Sequence, residues 1–354
     1  MYNSIRPGEI WLDTEGKPIQ AHAGAVMHVD DTFYWYGENK EKTVPGSDIW
    51  HWGVKLYSSK DLYNWTDEGI IIPPEPDDIS SPMHPSQSMM DRPHILFNKK
   101  TQKYVCWIKC MQHDGTQKTA VFNADNIKGP YVLIHKDMMP LGMSAGDFDL
   151  SVADDGKAYY YFERVHSELI CADLTDDYTN VTGYYSTHFP YKYPPFVREA
   201  PAYFTRRSMH YLATSGTTGY HPNPSMIAVA DTFHGPWREL GNLHPDDASR
   251  TSFNSQISYI FKHPGKKDLY IAIADRWLPH LPEFYGEAFA TGEASRKTEE
   301  YFRKRFNPDE ETPPRPPDAG RGGNHSRYVW LPISFDGEYP QIKWQDEWRI
   351  EDFI

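Results

Sequence analysis

Residues 150–163 read LSVADDGKAYYYFE, an apolar run, a tight polar turn at Asp154-Asp155-Gly156 and then a tyrosine-rich run. β-Branched and aromatic residues on both sides of an Asp-Gly turn signal an antiparallel hairpin. The same phrase recurs at residues 25–38 (AVMHVDDTFYWYGE), 94–109 (HILFNKKTQKYVCWIK), 201–216 (PAYFTRRSMHYLATSG) and 257–275 (ISYIFKHPGKKDLYIAIAD). A second, looser pair of strands is expected after these hairpins, at 55–71, 119–134, 167–184, 226–240 and 328–344. Three of these pairs share a related turn: NADNIKGPY, VADTFHGPW and YSSKDLYNW. Repetition of a four-stranded unit every 50 to 70 residues or so predicts an all-β fold, a five-bladed β-propeller with four-stranded antiparallel blades. A propeller brings the inner-strand starts of its blades around one axial pocket.

The bulk composition agrees with one propeller domain spanning residues 1–354. Radial β repeats extend beyond the usual domain length as a single unit. The 29 Pro and 24 Gly supply the turns, while 24 Tyr and 11 Trp supply blade-to-blade packing and flat faces suited to sugar rings. A formal net charge of -13 argues against nucleic acid as a partner. Cys106, Cys110 and Cys171 cannot form a disulfide framework and are expected as buried apolar residues. The start, MYNSIRPGEIW, lacks a signal-peptide pattern, and no apolar stretch is long enough to span a bilayer. The expectation is therefore a soluble protein without a membrane partner, cytoplasmic as it stands, or secreted or periplasmic if a signal peptide has been removed.

One stretch departs from the repeat. Residues 278–327 are charged and helix-favouring at 292–306 and rich in Pro and Gly towards their end. They read as an insertion between the inner and outer halves of the fifth blade. Long loops on a rigid scaffold often carry function.

Residues at the beginning of each hairpin's first strand should lie nearest the propeller axis. Those positions hold Ala21-His22-Ala23-Gly24, Asp91-Arg92-Pro93, Gly146-Asp147-Phe148-Asp149, Arg198-Glu199-Ala200 and Asn254-Ser255-Gln256. An Asp, Glu or Gln at the same station in four of five blades is not the scatter expected of surface decoration. Carboxylates converging in an aromatic-walled hole repel one another, so at least one should have a raised pKa. Glycosidic bond cleavage needs that arrangement: one group protonates the leaving oxygen and another activates water.

These residues also carry a resemblance. AHAGAVMHVDDTFYWYGENKE, DRPHILFNKKTQKYV, GDFDLSVADDGKAYYYFE, REAPAYF, and SFNSQ followed by ADRW are similar to the motifs of glycoside hydrolase family 43. Its members are five-bladed propellers that act with inversion, and the nearest branch is that of the exo-β-1,3-galactanases. The likeness runs from about Gly8 to Trp277 and resumes at Tyr328-Val329-Trp330-Leu331-Pro332. It implies Glu199 as general acid and Asp147 as the residue that tunes it and orients the sugar. Most members place a general-base Asp at the start of the first blade, where this chain has His22. The galactanase branch shares that loss, and there the water-positioning role falls on the residue matching Gln256. An amide serves as base only as an imidic tautomer or through a hydrogen-bond chain.

The chain departs from the galactanase pattern at AHAGA (Ala21–Ala25) for AHGGG, Asp91 for Glu, and Ala145-Gly146 for Ser-Arg before Asp147. The last two changes withdraw a carboxylate and a hydroxyl donor from the terminal sugar's place. The expected catalytic set is Glu199, Asp147, Gln256 and Asp91. The group that holds water, Gln256 or Asp91, should stand about 6.5–9.5 Å from the acid. The expected substrate-binding set is His22, Glu38, Arg92, Trp52, Tyr220 and Arg276, with Trp35 and Trp277 as further stacking candidates. Read without chemistry, Asp91 would pair with Arg92, Glu199 with Arg198 or Arg92, and Glu38 with Lys40.

His22, His51, His94 and His221 have no metal-binding spacing and read as hydrogen-bonded residues, so no cofactor and no metal are expected. Residues 216–219 (GTTG) precede Tyr220 where a phosphate loop needs Lys, and no GxSxG elbow is present. The resulting expectation is an exo-acting inverting glycoside hydrolase that releases a terminal sugar, with β-linked galactose first, from an oligosaccharide or polysaccharide. A furanosidase on the same fold, and a glycan-binding propeller without turnover, are the alternatives. Oligomeric state is not legible.

Overall fold

The computed structural model describes residues 1–316 and 322–354. Residues 317–321, part of the expected insertion, lie outside the described residues. The strands form five four-stranded sheets, each a simple up-and-down antiparallel meander in chain order. The first sheet contains β1 (His22–Val29), β2 (Thr32–Glu38), β3 (Val54–Ser59) and β4 (Thr66–Ile72). The second contains β5 (Met89–Asn98), β6 (Lys103–Met111), β7 (Gln117–Ala124) and β8 (Val132–Met138). The third contains β9 (Ala145–Val152), β10 (Ala158–Arg164), β11 (Glu168–Leu174) and β12 (Val181–His188). The fourth contains β13 (Arg198–Arg206), β14 (Met209–Gly216), β15 (Met226–Ala230) and β16 (Arg238–Asn242). The fifth contains β17 (Gln256–Lys262), β18 (Tyr270–Arg276), β19 (Arg327–Asp336) and β20 (Tyr339–Ile342). This is the five-bladed β-propeller class, with four-stranded antiparallel blades.

Three short helices, α1 (Leu281–Tyr285), α2 (Glu287–Ala290) and α3 (Glu293–Phe306), fall between β18 and β19. Among the described residues no helix is long and apolar enough to cross a membrane.

By their internal contacts the residues divide into two units. The first comprises Met1–Asn3, Trp11–Val165 and Ile170–Ser186, and holds the first three blades. The second comprises Ser4–Ile10, His166–Leu169 and Thr187–Ile354, and holds the last two blades and the helices.

Within each unit the second strand of a blade is buried almost end to end, as in β10 and β18, whereas the outermost strands β8, β12 and β16 are largely exposed. Neighbouring blades cover both faces of the inner strands, so those strands read as continuous apolar and aromatic runs. The abundant Tyr and Trp serve this packing, because each buries a large ring and carries one polar atom that needs a partner. In the first unit, the Ile95 N–H donates to the Tyr36 hydroxyl at 2.9 Å, and Trp107 Nε1 donates to the Tyr178 carbonyl at 2.7 Å. In the second, Tyr270 donates to the Thr205 carbonyl at 2.9 Å and Tyr211 to the Glu338 carbonyl at 3.0 Å. Each bond ties one blade to the next. The three cysteines are free and buried.

Candidate active site

The strand starts share a β-bulge. His22 pairs with Glu38, Asp91 with Lys109 and Glu199 with Ser215; in each case the register then slips by one residue. The next residue, Ala23, Arg92 or Ala200, has a positive φ of 47°, 50° or 49°. Such bulges re-aim side chains, and non-glycine residues in the left-handed region concentrate at functional sites. The third and fifth blades depart from this common station. Ala145, paired with Arg164, occupies it in β9, so Asp147 lies two residues further along. Gln256 sits one pair before the slip in β17.

In the first unit this geometry assembles a compact charged cluster. Lys109 Nζ lies 2.8 Å from Asp91 Oδ2 and 2.6 Å from Asp147 Oδ1, while Arg92 Nε lies 2.9 Å from Asp147 Oδ2. Asp91 therefore pairs with Lys109, and Arg92 reaches Asp147 in its place. Asp149 is withdrawn from chemistry: it is fully buried, with His94 Nδ1 2.9 Å from its Oδ1. Gly146 permits the approach of Glu163, because a Cβ there would collide with the Glu163 carboxylate. The position of the missing Arg is thus filled from within the blade.

Glu38 and His22, expected to touch sugar, have no exposed surface. Glu38 lies 2.6 Å from Lys40 Nζ and shares a hydrogen bond with Asp91; His22 Nε2 lies 3.3 Å from Gln20 Oε1. Burial, and then the charge of Asp91, push Glu38 well above the ordinary carboxylate range. Burial would also raise Asp91, but Lys109, the Glu38 hydrogen bond and Arg92 together hold it far below its usual value. Of this pair Glu38 is thus the one that holds a proton to the higher pH. Burial opposes the charge on Lys109, yet Asp147 and Asp91 raise it above an ordinary lysine. Trp52 has one face covered by Lys42, whose Nζ lies 3.4 Å from the ring centroid.

In the second unit, the Gln256 amide nitrogen donates to Ser215 Oγ at 2.9 Å and to Glu199 Oε1 at 3.3 Å. Its amide oxygen accepts the Trp277 indole N–H at 3.3 Å. That bond fixes the amide orientation, with its oxygen on the indole and its nitrogen on Ser215 and Glu199. The expected separation of about 6.5–9.5 Å is not met by Gln256, because its amide touches Glu199 directly. Arg198 does not pair with Glu199: its guanidinium donates to the Thr214 hydroxyl at 2.9 Å and carbonyl at 2.8 Å. Burial lowers Arg198 to about 10.

Beside Gln256 is a small recess whose lining includes Ser215, Tyr220, His221, Asn223, Asp275 and Trp277. Tyr220 and Trp277 meet edge to face with ring centroids 5.5 Å apart. Arg276 does not line it. Its Nη2 and Nε donate to the carbonyls of Phe253 and Asn254 at 3.0 and 3.3 Å, supporting the chain that leads to Gln256. Among the described residues no group of three or more His, Cys, Asp or Glu is placed to hold a metal ion.

The sequence profile of Glycosyl hydrolases family 43 matches residues 17–272. The chain belongs to glycoside hydrolase family 43. Solved structures of that family resemble it along nearly its whole length. A family 43 β-1,3-galactosidase is 30% identical with a TM-score of 0.78, the match covering 99% of this chain and 65% of that one. A second, solved with galactodeoxynojirimycin, is 28% identical with a TM-score of 0.77, covering 98% of this chain and 100% of that one. The exo-β-1,3-galactanase of Phanerochaete chrysosporium, solved with β-1,3-galactotriose, is 26% identical with a TM-score of 0.76, covering 98% and 68%. The chain thus spans just under two thirds of the first of these. Comparison with curated proteins finds no match to this sequence.

Lys109 and Ser215 were missed in the sequence. Both stand directly opposite an acidic strand start in hairpin register, so a charged or hydroxyl residue there was the available signal. A Lys inside the apolar run CWIKC is the more telling of the two.

Proposed function

We propose that this family 43 member is an exo-acting, inverting glycoside hydrolase that releases terminal galactose from β-1,3-linked galactan. The observation that carries the reading is the Glu199 carboxyl held by the neutral Gln256 amide beside an aromatic recess. The galactose-type ligands and substrates in the names of its structural relatives favour galactose over a furanose. Glu199 gives its proton to the glycosidic oxygen as the bond from C1 to that oxygen breaks, and a water oxygen bonds C1 from the opposite face. The water proton passes to Asp91, a carboxylate kept ionised by Lys109. Asp147, fixed by Arg92 and Lys109, accepts sugar hydroxyls. Gln256 orients the acid.

The test is incubation with β-1,3-galactobiose, β-1,3-galactotriose, aryl β-galactosides and aryl arabinofuranosides, followed by proton NMR of the first product. The expected result is galactose in the α configuration, one residue at a time. Retained configuration, or release of arabinose instead of galactose, overturns the proposal.

A further inference from the structure

The helical segment between β18 and β19 bears on Gln256 from two sides. On one side α3 grips Arg250. Glu299 Oε1 and Oε2 accept from Arg250 Nη2 at 2.9 and 3.0 Å, and the buried Ser295 donates its hydroxyl to the Arg250 carbonyl at 2.9 Å. Arg250 opens a run of unusual backbone. It has a φ of 58°, and Ser252, Phe253 and Asn254 follow at 53°, 60° and 55°. Non-glycine residues in that region cost roughly 1–3 kcal/mol each and persist only where the surroundings over-determine them. The supports are visible: Asp247 Oδ2 accepts the Thr251 and Phe253 N–H groups at 2.8 and 3.0 Å, and Ser252 Oγ donates to the Asn223 carbonyl at 2.8 Å. Two residues after this run comes Gln256.

On the other side the chain returning to β19 lies against the indole that holds the Gln256 amide. A Cβ on Gly322 would stand 2.6 Å from Trp277 Cε3 and 3.0 Å from Tyr220 Cε1. The Ser326 hydroxyl donates to the Trp277 carbonyl at 3.0 Å. Both the backbone before Gln256 and the group that orients its amide are therefore set by this segment.

We infer that Glu299 and Gly322 are positioning residues for the general acid, acting through Arg250 and Trp277 on Gln256 and hence on Glu199. This rests on the reading of Glu199 as the acid. The Arg250–Glu299 pair is partly exposed, with side chains 39% and 29% accessible. Pairs of that kind contribute little to stability, so their loss should leave the fold intact and disturb only what they aim.

The experiment compares Glu299→Ala, Glu299→Gln and Gly322→Ala with the parent on two substrates. One is β-1,3-galactobiose, whose leaving group needs a proton; the other is a dinitrophenyl β-galactoside, whose leaving group does not. Small misplacements of catalytic groups can cost up to about 10²-fold, so about a tenfold loss of kcat on galactobiose is expected for Glu299→Ala and Gly322→Ala. On the aryl substrate the loss should be under about twofold, with KM little changed. Glu299→Gln, which keeps an acceptor for Arg250, should recover most of the rate. In a Gln256→Ala background Glu299→Ala should have no further effect. Equal losses on both substrates, no loss, or additivity with Gln256→Ala overturns the inference. Glu199→Gln run beside them separates the two readings. If it shows no leaving-group dependence, the acid assignment falls and this inference with it. If it does while Glu299→Ala and Gly322→Ala do not, only the inference falls.

Discussion

The two acidic sites of this molecule are built on the same bulged strand starts, yet they hold their carboxylates in opposite ways. In the first three blades Asp91 and Asp147 are locked by Lys109 and Arg92 at 2.6–2.9 Å. In the last two blades the bond seen on Glu199 comes from a neutral amide, itself anchored by Ser215 and Trp277. A cation within contact distance holds a carboxylate ionised through its charge, whereas a neutral donor acts on it only through its hydrogen bond. One strand motif thus sets a carboxylate against a cation in one blade and beside a neutral amide in another, and the residue opposite in the hairpin differs accordingly, Lys109 or Ser215.

The comparison breaks most directly at Glu199. Glu199→Gln keeps the hydrogen bonds of the recess but cannot give a proton, so activity on galactobiose should fall by about 10²–10⁴-fold. A dinitrophenyl galactoside should be much less affected. Equal losses on the two substrates would make Glu199 a holder of structure rather than a proton donor.

The charged cluster should fail differently. Lys109→Met leaves Asp91 and Asp147 facing each other without their shared cation. Removing one partner of a buried ion pair costs about 3–5 kcal/mol. Urea denaturation should show this loss, and it should shrink at low pH where the carboxylates protonate. A loss below about 1 kcal/mol would show the cluster to be no tighter than a surface pair.

Azide sharpens the division of labour. An external anion replaces a lost base but not a lost orienting contact. Added azide should therefore restore part of the turnover of Asp91→Ala, giving an α-galactosyl azide by the same inversion, and none of Gln256→Ala. Rescue of Gln256→Ala alone would return the water to Gln256 and leave Asp91 as a sugar contact.

The hairpins were legible because turn chemistry and alternation are local, and the second strands because their Tyr and Trp runs are buried on both faces. The polar strand starts were legible as a set. Their exact stations were not, because a one-residue bulge shifts which side chain points inward, so Asp147 and Gln256 lie off the position shared by His22, Asp91 and Glu199. The sequence also pairs residues by adjacency. It suggested Asp91 with Arg92 and Glu199 with Arg198, whereas the sheet pairs across strands and gives Asp91 to Lys109 and Arg198 to Thr214. Glu38 beside Lys40 was the exception, two residues apart on one extended chain and so on the same side. Burial of Glu38 and His22 depended on the neighbouring strands, which no local pattern records.

The smallest expected effect tests the protonation of the charged cluster. Glu38 is raised above its ordinary value of 4.5 by burial first and by Asp91 second. Between the unfolded and folded values the native state binds the extra proton, so stability falls as pH rises through that window. A raised acid is at its most favourable below its unfolded value and loses ground above it. Gln at this position imitates the protonated acid: it can donate to Asp91 and accept from Lys40, and it never titrates. Glu38→Gln should therefore match the parent near pH 4 and become the more stable of the two as pH rises from 5 to 8. Activity should stay within about twofold, in contrast to the same substitution at Glu199. Thermal melts of both proteins across that range measure it. A stability gap that closes rather than opens with pH would mean that Glu38 carries the charge and Asp91 the proton, and the Lys109 side of the cluster would then lose its claim to hold an ionised base.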